Sequence, residues 1–150
     1  MSMPDIGSLV PHTGSMIIID RIISADEENL CAEVGIREDS LFYQNGGVGA
    51  WVGIEYMAQA IAAHAGYLAN LLGEPVKIGF LLGTRRYECC RPSFMLGDVL
   101  RIDVKRLLVS DNGIGSYDCS IHNMNKKLAN ATVTVFQPFN ETGAIEGNTE

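Results

Sequence analysis

The 150-residue chain has no apolar run approaching the roughly 20 residues that a bilayer-spanning helix needs. "SMIIID" is too short, and the most helix-like apolar stretch is broken by Glu55, Gln59 and His64. The opening "MSMPDIGSLVPH" has neither the basic start nor the apolar stretch of a secretion signal, so no membrane span and a cytoplasmic location are expected. Basic residues are few: 11 Lys and Arg face 18 Asp and Glu, for a net charge of −7. That balance disfavours nucleic acid, whose phosphates require concentrated cations. Four cysteines, Cys31, Cys89, Cys90 and Cys119, fall in no CxxC or Cys/His spacing. No metal site is expected, and the thiols read as buried and reduced.

The hydrophobic content is 47%, with moderate charge, which suits one globular domain able to bury a real core. The chain reads as a single domain over 1–150, with a loose polar tail from about 140. "SMIIIDRIISADEENLCAEVGIR" predicts two strands joined by an acidic turn at 26–29. In the second strand Cys31, Glu33 and Gly35 alternate with Ala32, Val34 and Ile36. A loop, "EDSLFYQNGG", leads into a helix over about 48–72. Ile54, Ala58, Ile61, Ala65, Leu68 and Leu72 align on one face of that helix, and so much of the rest is apolar that wrapping on most sides is expected. Gly73 and Pro75 mark its end.

The remainder predicts strands. "VKIGFLLGTRRYECC" is followed by the turn "RPSFMLGD" and by an alternating "VLRIDVKRLLVS". "DNG" and "NMNKK" are hairpin signals within the antiparallel set that follows. The fold class implied is α+β: one long helix laid across a curved antiparallel sheet of five to seven strands. Such a sheet has free edges that invite a second subunit.

Three segments, "PHTGSMIIIDRI", "GIEYMAQAIAAHAG" and "GFLLGTRRYECCRPSFMLGDVLRIDV", resemble in order and spacing the hot-dog-fold 3-hydroxyacyl-carrier-protein dehydratases. The likeness covers roughly residues 9–138. "WVGIEYMAQAIAAHAG" is most similar to the branch found with aryl-polyene pigment biosynthesis. The resemblance implies a lyase that dehydrates a 3-hydroxyacyl thioester to the trans-2-enoyl thioester in fatty acid or polyene-type biosynthesis. Its substrate would be carried on the phosphopantetheine of an acyl carrier protein, with no other cofactor. The catalytic unit would be a homodimer, or a heterodimer with another hot-dog subunit. Two alternatives stay open on the same scaffold: an acyl thioesterase, and a non-catalytic subunit of a heterodimeric dehydratase.

Glu55 matches the family's acid, and burial would favour its protonated form. Gln59, one turn later, is placed to orient it. The family's catalytic histidine belongs to a His-Phe-Pro-Gly segment before the helix, but here the stretch is "YQNGGVGAW" and contains no histidine. His64, nine residues after Glu55, is rotated by about 900° and lies roughly 13 Å along the axis, so it reads as a core or interface histidine. His122 reads as a solvated surface residue near a turn. His12 of "VPHTGSM" remains as the replacement base, although the same motif also has a structural reading. Gly46, Gly47, Val48 and Gly49, with Gln59 and Trp51, are the expected substrate-binding residues. The small residues would let a thioester carbonyl approach the free N–H groups of the first helical turn. Trp51, Tyr56 and Phe42 are read either as lining for an acyl tunnel or as plain core. Arg85, Arg86 and Arg91 are the candidates for docking an acidic carrier protein or its phosphate.

Overall fold

A computed structural model describes Met3, Ile6 and residues 17–74 and 80–136. The loose tail expected from about 140 lies outside the described residues, as do Pro75 and His12. Two strands, β1 (Arg21–Ala25) and β2 (Asn29–Gly35), are joined by the acidic turn. There the Asp26 carboxylate accepts from the backbone N–H groups of Glu28 (2.9 Å) and Asn29 (2.8 Å). An Asx turn of this kind satisfies donors that the strand ladder cannot.

Two short strands, β3 (Tyr43–Gln44) and β4 (Gly47–Gly49), precede a 3-10 turn over Ala50–Val52 and the helix α1 (Gly53–Leu71). The chain continues through β5 (Phe80–Cys89), β6 (Ser93–Met95), β7 (Val99–Val109), β8 (Ile114–Asn123) and β9 (Lys126–Phe136). Six strands form one sheet in the order β1-β2-β7-β8-β9-β5, and every pair in it is antiparallel.

The alternation read from sequence becomes two rows across this sheet. Ala32, Ile102, Ile121 and Ala129 stand in register on the buried face, beside Leu30, Val104, Cys119 and Ala131. Cys31, Asp103, Ser120 and Asn130 form the facing row on the outer surface. A single residue of slip would exchange these rows, so burial fixes the register. The turn between β5 and β7 is pinned by Asp98. One of its carboxylate oxygens accepts from Arg91 Nη2 and from the Met95 N–H, both at 2.8 Å, and the other accepts from Asn123 Nδ2 at 3.0 Å.

The helix differs from expectation in its start and in its buried face. It begins at Gly53 rather than 48, because Gly47–Gly49 pair with β6 in a separate three-stranded sheet ordered β3-β4-β6. The stripe against the large sheet is Val52, Tyr56, Met57, Ala60, Ala63 and His64, each almost fully buried. Of the stripe predicted from sequence only Ile61 is fully buried; Ile54, Ala58, Ala65 and Leu68 are half-buried and Leu72 is exposed. Two apolar stripes about 120° apart both fit a helical period, and only tertiary packing distinguishes them. The deepest stripe of the helix therefore faces the sheet, and the opposite stripe is half-buried. The thiols also depart from a uniformly buried set: all four are free, but Cys90 is exposed and Cys31 and Cys89 are half-buried. Among the described residues no helix is long and apolar enough to cross a membrane.

Candidate active site

The start of α1 is built by contacts that leave almost no room for side chains. Asn45 and Gly46 connect β3 to β4 with φ of 52° and 88°, the two left-handed residues of a tight hairpin turn. A Cβ on Gly47 would run into the Phe94 carbonyl of β6, and one on Gly49 into the Trp51 indole. A Cβ on Gly53 would meet the Tyr87 hydroxyl. That hydroxyl donates to the Ala50 carbonyl, while the Ala50 N–H donates to the Pro92 carbonyl at 2.9 Å. Burial pushes the Tyr87 phenol well above its ordinary pKa, so it stays a donor. The 3-10 turn is thus clamped from both sides, and α1 leaves it in a fixed direction.

Glu55 lies in the first turn of α1, where the helix dipole favours a carboxylate. Its side chain is half-buried, less enclosed than the wrapped helix of the sequence reading implied. Gln59 is 1% exposed, and its Nε2 donates to Glu55 Oε2 at 3.2 Å. The Gln59 Oε1 accepts from the Ile18 backbone N–H at 3.0 Å. That second bond fixes which end of the amide is oxygen, so the NH₂ group is turned to the carboxylate. A backbone donor 41 residues away thus orients Glu55 through Gln59. A carboxyl group so held at a helix start is equipped for proton transfer to a group seated beside it.

The other candidates separate. His64 is fully buried on the far half of the helix: Nε2 donates to the Asp26 carbonyl at 2.9 Å, and Nδ1 accepts from the Tyr117 hydroxyl at 3.1 Å. The carbonyl can only accept, so the tautomer follows from the partners. Burial lowers the His64 pKa and keeps the ring neutral. It is a core histidine bonded to backbone. His122 is not the solvated residue expected: its side chain is 19% exposed, and Nδ1 lies 3.8 Å from Asp103 Oδ2. It belongs to the outer face of the sheet, in register with Arg101, away from Glu55.

Val48 is wholly buried and paired with Phe94, so its side chain is core rather than substrate-binding surface. Trp51 is 63% exposed and meets Phe42 edge-on at 5.1 Å, so neither lines an enclosed tunnel within one chain. Tyr56 is buried against Phe94. Arg85 and Arg86 are exposed on the edge strand β5, Arg86 at a bulge with φ of 56°. Arg91 departs from the expectation of a free docking arginine, because its guanidinium is half-buried and bound to Asp98. Among the described residues no group of three or more His, Cys, Asp or Glu side chains could hold a metal ion. The contributions of Ile18 and Tyr87 had no local sequence signal. The "NG" at 45–46, by contrast, was a legible sign of the small hairpin.

A helix laid on a six-stranded antiparallel sheet, with an acid in its first turn, defines a protein of the hot-dog class, and comparison with known structures agrees. A family model described as ApeP-like, "ApeP dehydratase", matches residues 4–146. The chain belongs to this dehydratase family, the aryl-polyene branch of the hot-dog dehydratases. A solved chain of "The Dehydratase Heterocomplex ApeI:P from Xenorhabdus doucetiae" is 26% identical, with a TM-score of 0.86 over 98% of this chain and 99% of that one. A hypothetical thioesterase from Streptococcus pneumoniae, solved with coenzyme A, is 17% identical, with a TM-score of 0.63 over 78% and 84%. The Escherichia coli PaaI protein from the phenylacetic acid degradation operon is 19% identical, with a TM-score of 0.57 over 77% and 80%. These last two show the fold alone. None of the curated proteins matches the chain.

Proposed function

We propose that this chain takes part in dehydrating a 3-hydroxyacyl thioester, delivered by an acyl carrier protein, to the trans-2-enoyl thioester. The observation that carries the reading is Glu55 at the start of α1, oriented by Gln59 and the Ile18 N–H, in a chain of a dehydratase family. In the reaction an imidazole takes the proton from Cα and its electron pair becomes the new C=C bond. The Cβ–O bond breaks, and the hydroxyl leaves as water with the proton of Glu55. Developing negative charge on the thioester oxygen is met by N–H groups at the helix start. The sequence candidate for the imidazole is His12 of a neighbouring subunit, joined to Glu55 across a dimer. Arg85 and Arg86, exposed on β5, offer cations to an acidic carrier or its phosphate.

A second reading is favoured by the absence of histidine from "YQNGGVGAW" and by the similar Xenorhabdus protein, which is described as a heterocomplex. In it a different hot-dog subunit supplies the base, and this chain supplies the acid half. The test is turnover of a 3-hydroxyacyl carrier-protein substrate by the chain alone and mixed with a related dehydratase subunit, for wild type and His12→Ala. Loss of enoyl product in His12→Ala supports the first reading. Full activity confined to the mixed species, His12→Ala included, supports the second. Free acid in place of enoyl thioester overturns both in favour of hydrolysis.

A further inference from the structure

Strand β5 breaks step with its neighbour β9 beside the start of α1. Arg85 pairs with Thr132 and Glu88 with Asn130, so Arg86 and Tyr87 together stand against the single residue Ala131. A β-bulge of this kind re-aims a side chain. Arg86 takes the left-handed conformation, with φ of 56°, uncommon for a residue with a Cβ, and its side chain is exposed. Tyr87 is turned inward against the core, where its hydroxyl donates to the Ala50 carbonyl.

Two further features keep that bond. Gly53 has no Cβ, and one would strike the Tyr87 hydroxyl. Burial, with the Cys89 sulfur beside it, pushes the phenol pKa well above its ordinary value, so the proton stays on the oxygen. The Ala50 carbonyl also accepts a backbone N–H at the Gly53 cap, so the turn closes without the phenol. A bulged edge strand that delivers one hydroxyl to an oxygen already satisfied does more than the turn requires.

The consequence lies at the other end of the same peptide group. The peptide between Ala50 and Trp51 is planar and trans, so its N–H points opposite to its C=O. A hydroxyl that holds the Ala50 carbonyl therefore fixes the direction of the Trp51 N–H, which leads away from Tyr87. Its two neighbours in the turn are occupied. The Ala50 N–H donates to the Pro92 carbonyl at 2.9 Å, and the Val52 N–H closes the first 3-10 bond onto the Gly49 cap. Among the described residues the Trp51 N–H has no acceptor. It stands about one helical turn ahead of Glu55.

We propose that Tyr87 is a positioning residue for the reaction: through the Ala50 carbonyl, it aims the Trp51 N–H at the thioester oxygen. The inference rests on the dehydratase reading for the thioester. The role of Tyr87 rests on the bulge, the bond to Ala50 and the geometry of the peptide.

Two measurements test it. In the first, turnover of a 3-hydroxyacyl carrier-protein substrate is followed for wild type and Tyr87→Phe, each alone and with a partner subunit. An N–H that meets charge developing in the transition state acts on kcat, which should fall about tenfold while KM stays within about twofold. A tyrosine that only supports the fold would lower the unfolding temperature and leave kcat of the folded protein unchanged. That result, or a raised KM at unchanged kcat, overturns the proposal.

The second measurement needs no turnover. If nothing is turned over under any condition, the dehydratase reading fails and this measurement alone decides the role of Tyr87. Trp51 is the only tryptophan, so labelling tryptophan at its main-chain nitrogen yields a single amide signal. Two unreactive ligands are titrated: an acyl-pantetheine thioester lacking the 3-hydroxyl, and the matching thioether without the carbonyl oxygen. In wild type the Trp51 amide proton should move downfield with the thioester and much less with the thioether. In Tyr87→Phe that difference should largely vanish. Equal shifts in wild type, no shift with either ligand, or an undiminished difference in Tyr87→Phe overturns the proposal. Should Tyr87→Phe fold poorly, Gly53→Ala drives out the same hydroxyl and should reproduce both results, and wild-type values in that variant overturn the proposal.

Discussion

The two halves of α1 each carry a polar side chain and use it in opposite ways. His64, in the C-terminal half, spends both ring nitrogens on partners from two other elements, the Asp26 carbonyl and the Tyr117 hydroxyl. Nothing is left over for a ligand, and the ring ties the helix to the β1–β2 turn and to β8. Glu55, in the N-terminal half, is only half-buried and is oriented by an amide that is itself held by the Ile18 N–H. A ring fixed between a backbone carbonyl and a phenol supports structure; an acid in the first turn of a helix, held by a side-chain amide, can exchange a proton with a group seated beside it.

The contrast is broken most severely at the acid. Glu55→Gln keeps the volume and an acceptor but has no transferable proton, so dehydration should fall by about 10²–10⁴-fold. Thermal unfolding of the same variant should stay close to wild type. A variant retaining full turnover would leave Glu55 no catalytic role.

His64→Leu should show the reverse pattern. It strands the Tyr117 hydroxyl and the Asp26 carbonyl, at roughly 1–3 kcal/mol for each buried group left unpaired, which urea unfolding would register. The pH dependence sharpens the point. The folded pKa of His64 is lowered, so below the unfolded value of about 6.5 the unfolded chain binds the proton that the folded chain refuses. Its contribution to stability is therefore complete above that value and declines as pH falls through it. Unfolding free energies from pH 8 to 5 should reveal this slope, and it should flatten in His64→Leu.

The smallest effect is expected at the surface. Arg85→Glu with Arg86→Glu should raise KM several-fold for carrier-bound substrate and leave pantetheine-bound substrate nearly unaffected, the difference shrinking as salt rises.

Much of this was legible in the chain itself, for reasons that differ by element. Leu100, Ile102 and Val104 announced their strand because alternation every second residue has one solution on a one-sided sheet. Glu55 and Gln59 were legible as a pair, since residues four apart share a helix face. The seam of α1 was not, because Ile54–Ile61–Leu68 and Tyr56–Ala60–Ala63 both satisfy the helical period. Gly47 and Gly49 hid β4 by having no side chains to alternate. The Ile18 N–H on Gln59 and the Tyr87 hydroxyl on Ala50 join segments about 40 residues apart, and no local pattern encodes such a meeting. The long helix laid across an antiparallel sheet was legible too; which of its stripes lies deepest was not.

Trp51 is the chain's sole tryptophan, and it projects from the 3-10 turn over Gly49, one turn ahead of Glu55. Its indole is therefore an optical reporter already installed at the place where chemistry is proposed. A second subunit or a carrier settling against the helix start would remove water from that ring and move its fluorescence emission to the blue. Assembly could then be timed in unlabelled protein, by light from a single known position.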